Sequence, residues 1–265
     1  MVVDPDSALS YATQYLQLSK TINDSLEIAT ALDLIGSAYY YQNLLEKALS
    51  YHYRAHGIFK RHNDYSGLST THLSIGNVYN DQGYYLRAID HYLQSMEYDK
   101  KIDYPEGEAT TAINIAIIFM AQENYDLANQ YIEQSIAVAK EYELTPVLAN
   151  AYNLKSELLL LDNKIDEAED IANKALKMAL DYHDQFEIAG SHCNLGLIAS
   201  QRGDHEKAIK ECTEAVALMV NYGDPYSISL YKSSLARVFL DAGLYNEGLK
   251  HLRLIRLVRK NITGT

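Results

Sequence analysis

Small residues recur along the chain in one phase, every 40 positions. Ala48, Ala88, Ala128, Ala168 and Ala208 hold one position of this repeat, Gly248 continues the series and Ala8 begins it. Seven positions after them stand Ala55, Ser95, Ser135, Ala175 and Ala215; twelve before them stand Gly36, Gly76, Ala116, Ser156, Gly196 and Ala236. Two helices cross at short range only where side chains are small, so three small positions per unit predict a repeated antiparallel helix pair. Larger side chains flank the small ones: Tyr39, Tyr79, Phe119, Leu159, Ala199 and Phe239 on the first helix, Leu45, Tyr85, Tyr125, Ile165, His205 and Tyr245 on the second. These are expected to fill the space between hairpins.

The punctuation keeps the same period. Asn43, Gly83, Glu123, Asn163, Gly203 and Gly243 stand between the two helices of each unit, and all but Glu123 are types that tolerate the left-handed backbone ending a helix. Between units Asp24, Asp64, Asp184 and Asp224 recur, joined by Pro105, Pro146 and Pro225. Aspartate caps the next helix and proline suits its first turn. The chain therefore reads as all-α and as a single array over 1–265, with a half repeat over 5–25 and repeats over about 28–65, 68–105, 108–145, 147–185, 188–225 and 228–262. From Pro5 to Lys20 it has the pattern of a second helix without its first, and Leu249, Leu252, Ile255 and Val258 lay an apolar stripe on the last helix. Such ends are expected of a piece of a longer protein, or of an array covered by a partner or a second copy; fraying is the blander alternative.

Small residues at positions 8, 20 and 27 of a helix-turn-helix unit, with aromatics between them, resemble the tetratricopeptide repeat (TPR), and the likeness spans nearly the whole chain. The resemblance implies a right-handed superhelical solenoid of antiparallel helix pairs, about six and a half repeats long, whose first helices line a concave, peptide-binding surface. The family's usual unit is about 34 residues. A 40-residue unit implies helices longer by nearly a turn, similar to the TPR arrays of kinesin light chains and of bacterial peptide-sensing regulators. Tryptophan is absent, and Lys60 stands where a closing proline is common, so the likeness is to the general family.

Projecting positions 5, 6, 9 and 12 of each unit onto that surface gives Asp33, Ser37 and Tyr40, then Leu73, Asn77 and Asn80, then Ile113, Asn114, Ile117 and Met120. Asn153, Glu157 and Leu160 follow, then Cys193, Asn194, Leu197 and Ser200, then Ser233, Arg237 and Leu240. Asn114 and Asn194 hold the place where the resembled long-repeat arrays set an asparagine against a bound peptide's backbone, and an amide both donates and accepts. Asn77 and Asn153 are weaker versions. The opposing reading is an asparagine that bonds a neighbouring turn or faces water. Ile113, Ile117, Met120, Leu160 and Leu197 either form an apolar strip for a hydrophobic peptide or belong in part to the core. The candidate peptide-binding groove thus comprises Tyr40, Asn77, Ile113, Asn114, Ile117, Asn153, Leu160, Asn194, Leu197 and Arg237. The carboxylate clamp of chaperone-binding TPR domains takes lysine at position 5, where this chain has Leu73.

Charge narrows the partner. The 265 residues carry 23 basic and 35 acidic side chains, a net charge of −12, which repels the phosphate backbone, so no nucleic-acid partner is expected. No apolar run reaches the roughly 18 residues of a membrane span, and no basic-then-apolar leader opens the sequence. The expectation is no direct membrane insertion and a cytoplasmic location, or a periplasmic sensor region if a leader and anchor belong to a longer protein. Cys193 and Cys212 are too few for a disulfide framework. His192 and Cys193 point about 100° apart on a helix, and His205 and Cys212 lack a third ligand, so no metal is expected. No nucleophile elbow, glycine-rich phosphate loop or deaminase signature is present, and no cofactor or catalytic residue is expected. Arg253, Arg256, Arg259 and Lys260, with no acid after Glu247, either answer the helix dipole or lead into a following segment. The leading expectation is a protein- or peptide-binding scaffold, the sensing or interaction part of a larger bacterial signalling protein. Alternatives are a self-associating array, a homodimer through its open repeat ends, and the regulatory part of a TPR phosphatase-like response-regulator partner.

Overall fold

The computed structural model describes residues 5–223 and 225–253. Among them are twelve bounded helices and a further helical stretch over 245–253, and no strand. They form two compact units. The first, Val3–Tyr142, holds α1 (Pro5–Ile22), α2 (Ser25–Tyr41), α3 (Leu45–His62), α4 (Tyr65–Asp81), α5 (Tyr85–Lys101), α6 (Pro105–Ala121) and α7 (Tyr125–Glu141). Each helix there packs on the next, and α2 also touches α4, which sets first helices of successive repeats side by side. The second unit, from Glu143 on, holds α8 (Thr145–Leu161), α9 (Ile165–Tyr182), α10 (Gln185–Gln201), α11 (His205–Tyr222) and α12 (Pro225–Asp241). Here α10 touches both α8 and α12.

Left-handed backbone returns every 20 residues, at Asn23, Asn43, Asn63, Gly83, Asp103, Glu123, Glu143, Asn163, His183, Gly203, Gly223 and Gly243. Half of these are the turns inside hairpins that the sequence marks. The others lie between hairpins, where the sequence signals only caps and prolines. One helix per 20 residues is the backbone unit, and the alternation of helix character doubles it to 40. Asp24, Asp64 and Asp184 accept backbone N–H groups from the first turns of α2, α4 and α10, as their spacing predicts. Asn124 and Asp204 do the same for α7 and α11, while Asp224 lies outside the described residues.

The alanines and serines at positions 20 and 27 are fully buried from Ala48 to Ala215. At position 8 the first helix meets position 24 of the second, and the two sizes complement each other. A Cβ on Gly36 would stand 2.7 Å from the His52 ring, and one on Gly76 would stand 2.5 Å from Tyr92. Gly196 makes the same notch for Cys212. Where Ala116 or Ser156 holds position 8, the facing residue is Ile132 or Ala172. Tyr79, Phe119 and Leu159 join hydrophobic clusters between helices. Tyr125 and Tyr245, by contrast, are exposed, because the first residue of these second helices faces outward. Adjacent hairpins are clasped at their turns by Gln42 to Asp6, Gln82 to Glu46 and Arg202 to Asp166, each pair 36 residues apart. Leu249 and Leu252 are exposed; Ile255, Arg256, Val258, Arg259 and Lys260 lie outside the described residues.

Candidate functional site

In the first unit, the first helices α2, α4 and α6 carry Tyr40, Asn77, Asn80, Asn114 and Ile117 to the rim of one recess of about 240 Å³, with Tyr92 of α5 at its floor. Tyr92 reaches this face because Gly76 leaves no side chain in its way. Its hydroxyl donates to Asn77 Oδ1 at 2.7 Å. That bond fixes which way the Asn77 amide points: the carbonyl is held at the floor, and both amide hydrogens are left to the recess. The side-chain amides of Asn80 and Asn114 make no hydrogen bond among the described residues and keep full donor and acceptor capacity. The Tyr40 hydroxyl is pushed well above the ordinary phenol range by burial and by the nearby Asp81 carboxylate, so it stays neutral. Ile117 is 45% exposed and supplies the apolar wall. Ile113, one turn before it, is buried and belongs to the core.

The second unit arranges the same repeat positions differently. Asn153 and Asn194 are each only 8% exposed. Asn153 Nδ2 donates to the Glu187 main-chain oxygen at 3.0 Å and to Glu187 Oε2 at 2.8 Å, and its Oδ1 accepts from Ser191 Oγ at 2.8 Å. Both amide hydrogens are spent, so Asn153 staples α8 to α10. Asn194 Nδ2 donates to the Asn153 main-chain oxygen at 2.8 Å, which leaves its carbonyl and one hydrogen. Burial raises the Glu187 carboxyl, against the lowering effect of Asn153 and Asn150. Leu160 is buried in the cluster around Ala168 and Ile198, with Leu197 packed against it. Here, then, the apolar strip is largely core, because these leucines pack in the cluster shared by α8, α9 and α10. Arg237 is exposed on α12, and Glu157 of α8 is exposed on the face carrying Asn153 and Asn194, where the surrounding helix walls raise its carboxyl.

Four residues of the candidate set, Tyr40, Asn77, Asn114 and Ile117, therefore come together, and Asn80 joins them. The sequence reading lacked Tyr92 as a site component. Its only signal is a tyrosine at position 24 opposite a glycine at position 8, a pairing that sends a long polar side chain through the crossing.

Histidines gather elsewhere in the first unit. His56 of α3 meets the His72 ring of α4 at 4.7 Å, His72 meets His91 of α5 at 5.1 Å, and the His72 and His91 Nδ1 atoms are 3.0 Å apart. Burial lowers all three, helped by Lys60 at His56, by His56, His91 and Lys60 at His72, which falls to about 4, and by His56 at His91. Among the described residues no group of three His, Cys, Asp or Glu side chains could hold a metal ion. No described helix is long and apolar enough to cross a membrane.

Tetratricopeptide-repeat family models match residues 67–141, 107–181 and 189–218. No curated protein sequence matches the chain. Among solved structures, aspartyl phosphate phosphatase F from Bacillus subtilis is similar over 97% of this chain and 68% of its own, at 18% identity and a TM-score of 0.80. A Rap protein complexed with Competence and Sporulation Factor is similar over 97% of this chain and 70% of its own, at 16% identity and a TM-score of 0.81. The Rap conjugation gene regulator of plasmid pLS20, in complex with the Phr* peptide, covers the same shares at 14% identity and a TM-score of 0.78.

Proposed function

The chain belongs to the tetratricopeptide repeat family, and on that premise we propose that it captures an extended peptide segment across the recess formed by α2, α4 and α6. The observation that carries this reading is the set of free amides: Asn77, Asn80 and Asn114 face one cavity with their donors unspent. Packed helices lie about 8–10 Å apart, so amides on α4 and α6 match peptide groups roughly three residues apart on an extended chain. Ile117 gives one apolar side chain a wall, and no cation lines the recess. With Asp81 behind Tyr40 and a net charge of −12, a neutral or basic segment fits better than an acidic one. The Phr* peptide held by a similar structure supports the peptide class, and the likeness to Rap proteins supports a sensing role within a larger signalling protein.

A pull-down tests it, with wild-type bait beside Asn77→Ala/Asn114→Ala and Ile117→Asp baits of equal helicity, read by mass spectrometry. The expected result is a partner held by wild type and lost by both variants. A partner held equally by the double variant overturns the assignment. Exposed Leu249 and Leu252 favour a second reading, self-association through the last helical stretch; sedimentation that stays monomeric at high concentration removes it.

A further inference from the structure

Positions 24 and 5 of the repeat meet through the notch at position 8. In the first full repeat they are His52 and Asp33, both buried, with His52 Nδ1 2.6 Å from Asp33 Oδ1. In the fifth they are Cys212 of α11 and Cys193 of α10. Gly196 stands one turn after Cys193, and the Cys212 Sγ occupies the space its Cβ would take. Residues three apart on a helix share a face, so the notch delivers the Cys212 sulfur onto the patch of α10 that carries Cys193. The same two positions bring His52 and Asp33 within 2.6 Å in the first repeat, and both thiols are free and buried.

We propose that Cys193 and Cys212 are an oxidation site, at which hydrogen peroxide converts the two thiols to a reversible disulfide tying α10 to α11. Cys193 is the sulfur that reacts first. It retains 6% exposure where Cys212 has none. The thiol of Cys212 is pushed up by its Cys193 neighbour and by burial, which leaves it the resolving rather than the attacking sulfur. The Cys193 thiolate attacks one peroxide oxygen, the O–O bond breaks, and hydroxide leaves to take up the thiol proton as water. The resulting sulfenic acid is attacked by Cys212, forming the S–S bond and releasing a second water. Two thiols are oxidised and one peroxide is reduced to two waters. With Cys212 Sγ in the notch at Gly196, one turn from Cys193, closing to the roughly 2.05 Å of a disulfide needs side-chain rotation and a small helix shift at a glycine crossing.

The test exposes the full, folded chain to a small excess of hydrogen peroxide, blocks remaining thiols with N-ethylmaleimide in denaturant, and digests with trypsin. Cleavage beside Lys177, Arg202, Lys210 and Lys232 places the cysteines in fragments 178–202 and 211–232. The expected product is these two joined, about 2 Da lighter than their sum and separated by dithiothreitol. In Cys212→Ser, Cys193 should stop at a sulfenic acid that dimedone traps, while in Cys193→Ser the remaining thiol should stay reduced. The proposal is overturned if both thiols of the folded wild-type chain are fully alkylated after exposure. A cross-link that forms only in denaturant, or only between two chains, overturns it as well.

Discussion

Replacing Gly76 by alanine tests the size pairing that builds both the core and the recess. The added Cβ would lie 2.5 Å and 2.6 Å from two carbons of the Tyr92 ring, where contact distances of 3.4 Å and above are ordinary. The ring has to move by nearly 1 Å, yet it is 2% exposed and sits among Ile75, Tyr79, Ala88, Met96, Ala112, Ile115 and Ile118. Overpacking of this kind costs roughly 1–3 kcal/mol, and the better helix propensity of alanine returns about 0.5–1 kcal/mol. The net loss is then on the order of 1–2 kcal/mol, or a urea midpoint lower by about 0.5–1 M at an ordinary slope. Gly57→Ala is the internal control. Its nearest neighbour is the far end of Arg61 at 3.9 Å, so only the propensity gain remains and stability should rise by roughly 0.5–1 kcal/mol. Urea titration followed by far-ultraviolet circular dichroism reads both. If Gly76→Ala is as stable as wild type, or shifts in the same direction as Gly57→Ala, the notch argument is wrong.

Tyr92→Phe keeps the ring and removes the hydroxyl, which frees the Asn77 amide to rotate. It should cost about 1 kcal/mol and sharply lower the order parameter of the Asn77 side-chain amide by NMR, whereas an unchanged value denies that Tyr92 orients it. Ala128→Leu places a large side chain at a fully buried crossing and should cost roughly 1–3 kcal/mol; an unaltered melting temperature would place the crossing elsewhere. Acid should weaken the first unit through its histidines. His56, His72 and His91 are neutral in the fold, with His72 near 4, against about 6.5 when unfolded. The unfolded chain therefore binds more protons, and stability is complete above pH 6.5 and falls as the pH drops from about 6.5 towards 4. Urea midpoints at pH 7 and pH 4.5 should differ less in His72→Phe than in wild type, and equal differences would refute the account.

The fold was legible because its information is local and repeated. A small residue every 40 positions and an Asn or Gly at every turn inside a hairpin but Glu123 say where helices cross and stop, since backbone sterics and close packing act between near neighbours. The inter-hairpin turns at Asp103, Glu143 and His183 were not legible, because those residues are poor markers of left-handed backbone that the packed helices impose. The groove was only half legible. Asn77, Asn114, Asn153 and Asn194 hold positions 9, 6, 5 and 6 of the repeat, and sequence alone places all four on one kind of face. What separates them is partnership with residues far along the chain. Glu187 and Ser191, 34 and 38 residues from Asn153, saturate its amide and close the second unit's face, while Tyr92, passing over Gly76, turns Asn77 outward and leaves Asn114 free. Hydrogen-bond capacity is spent in three dimensions, so the sequence determined which groups could bind and the tertiary structure decided which remain able to.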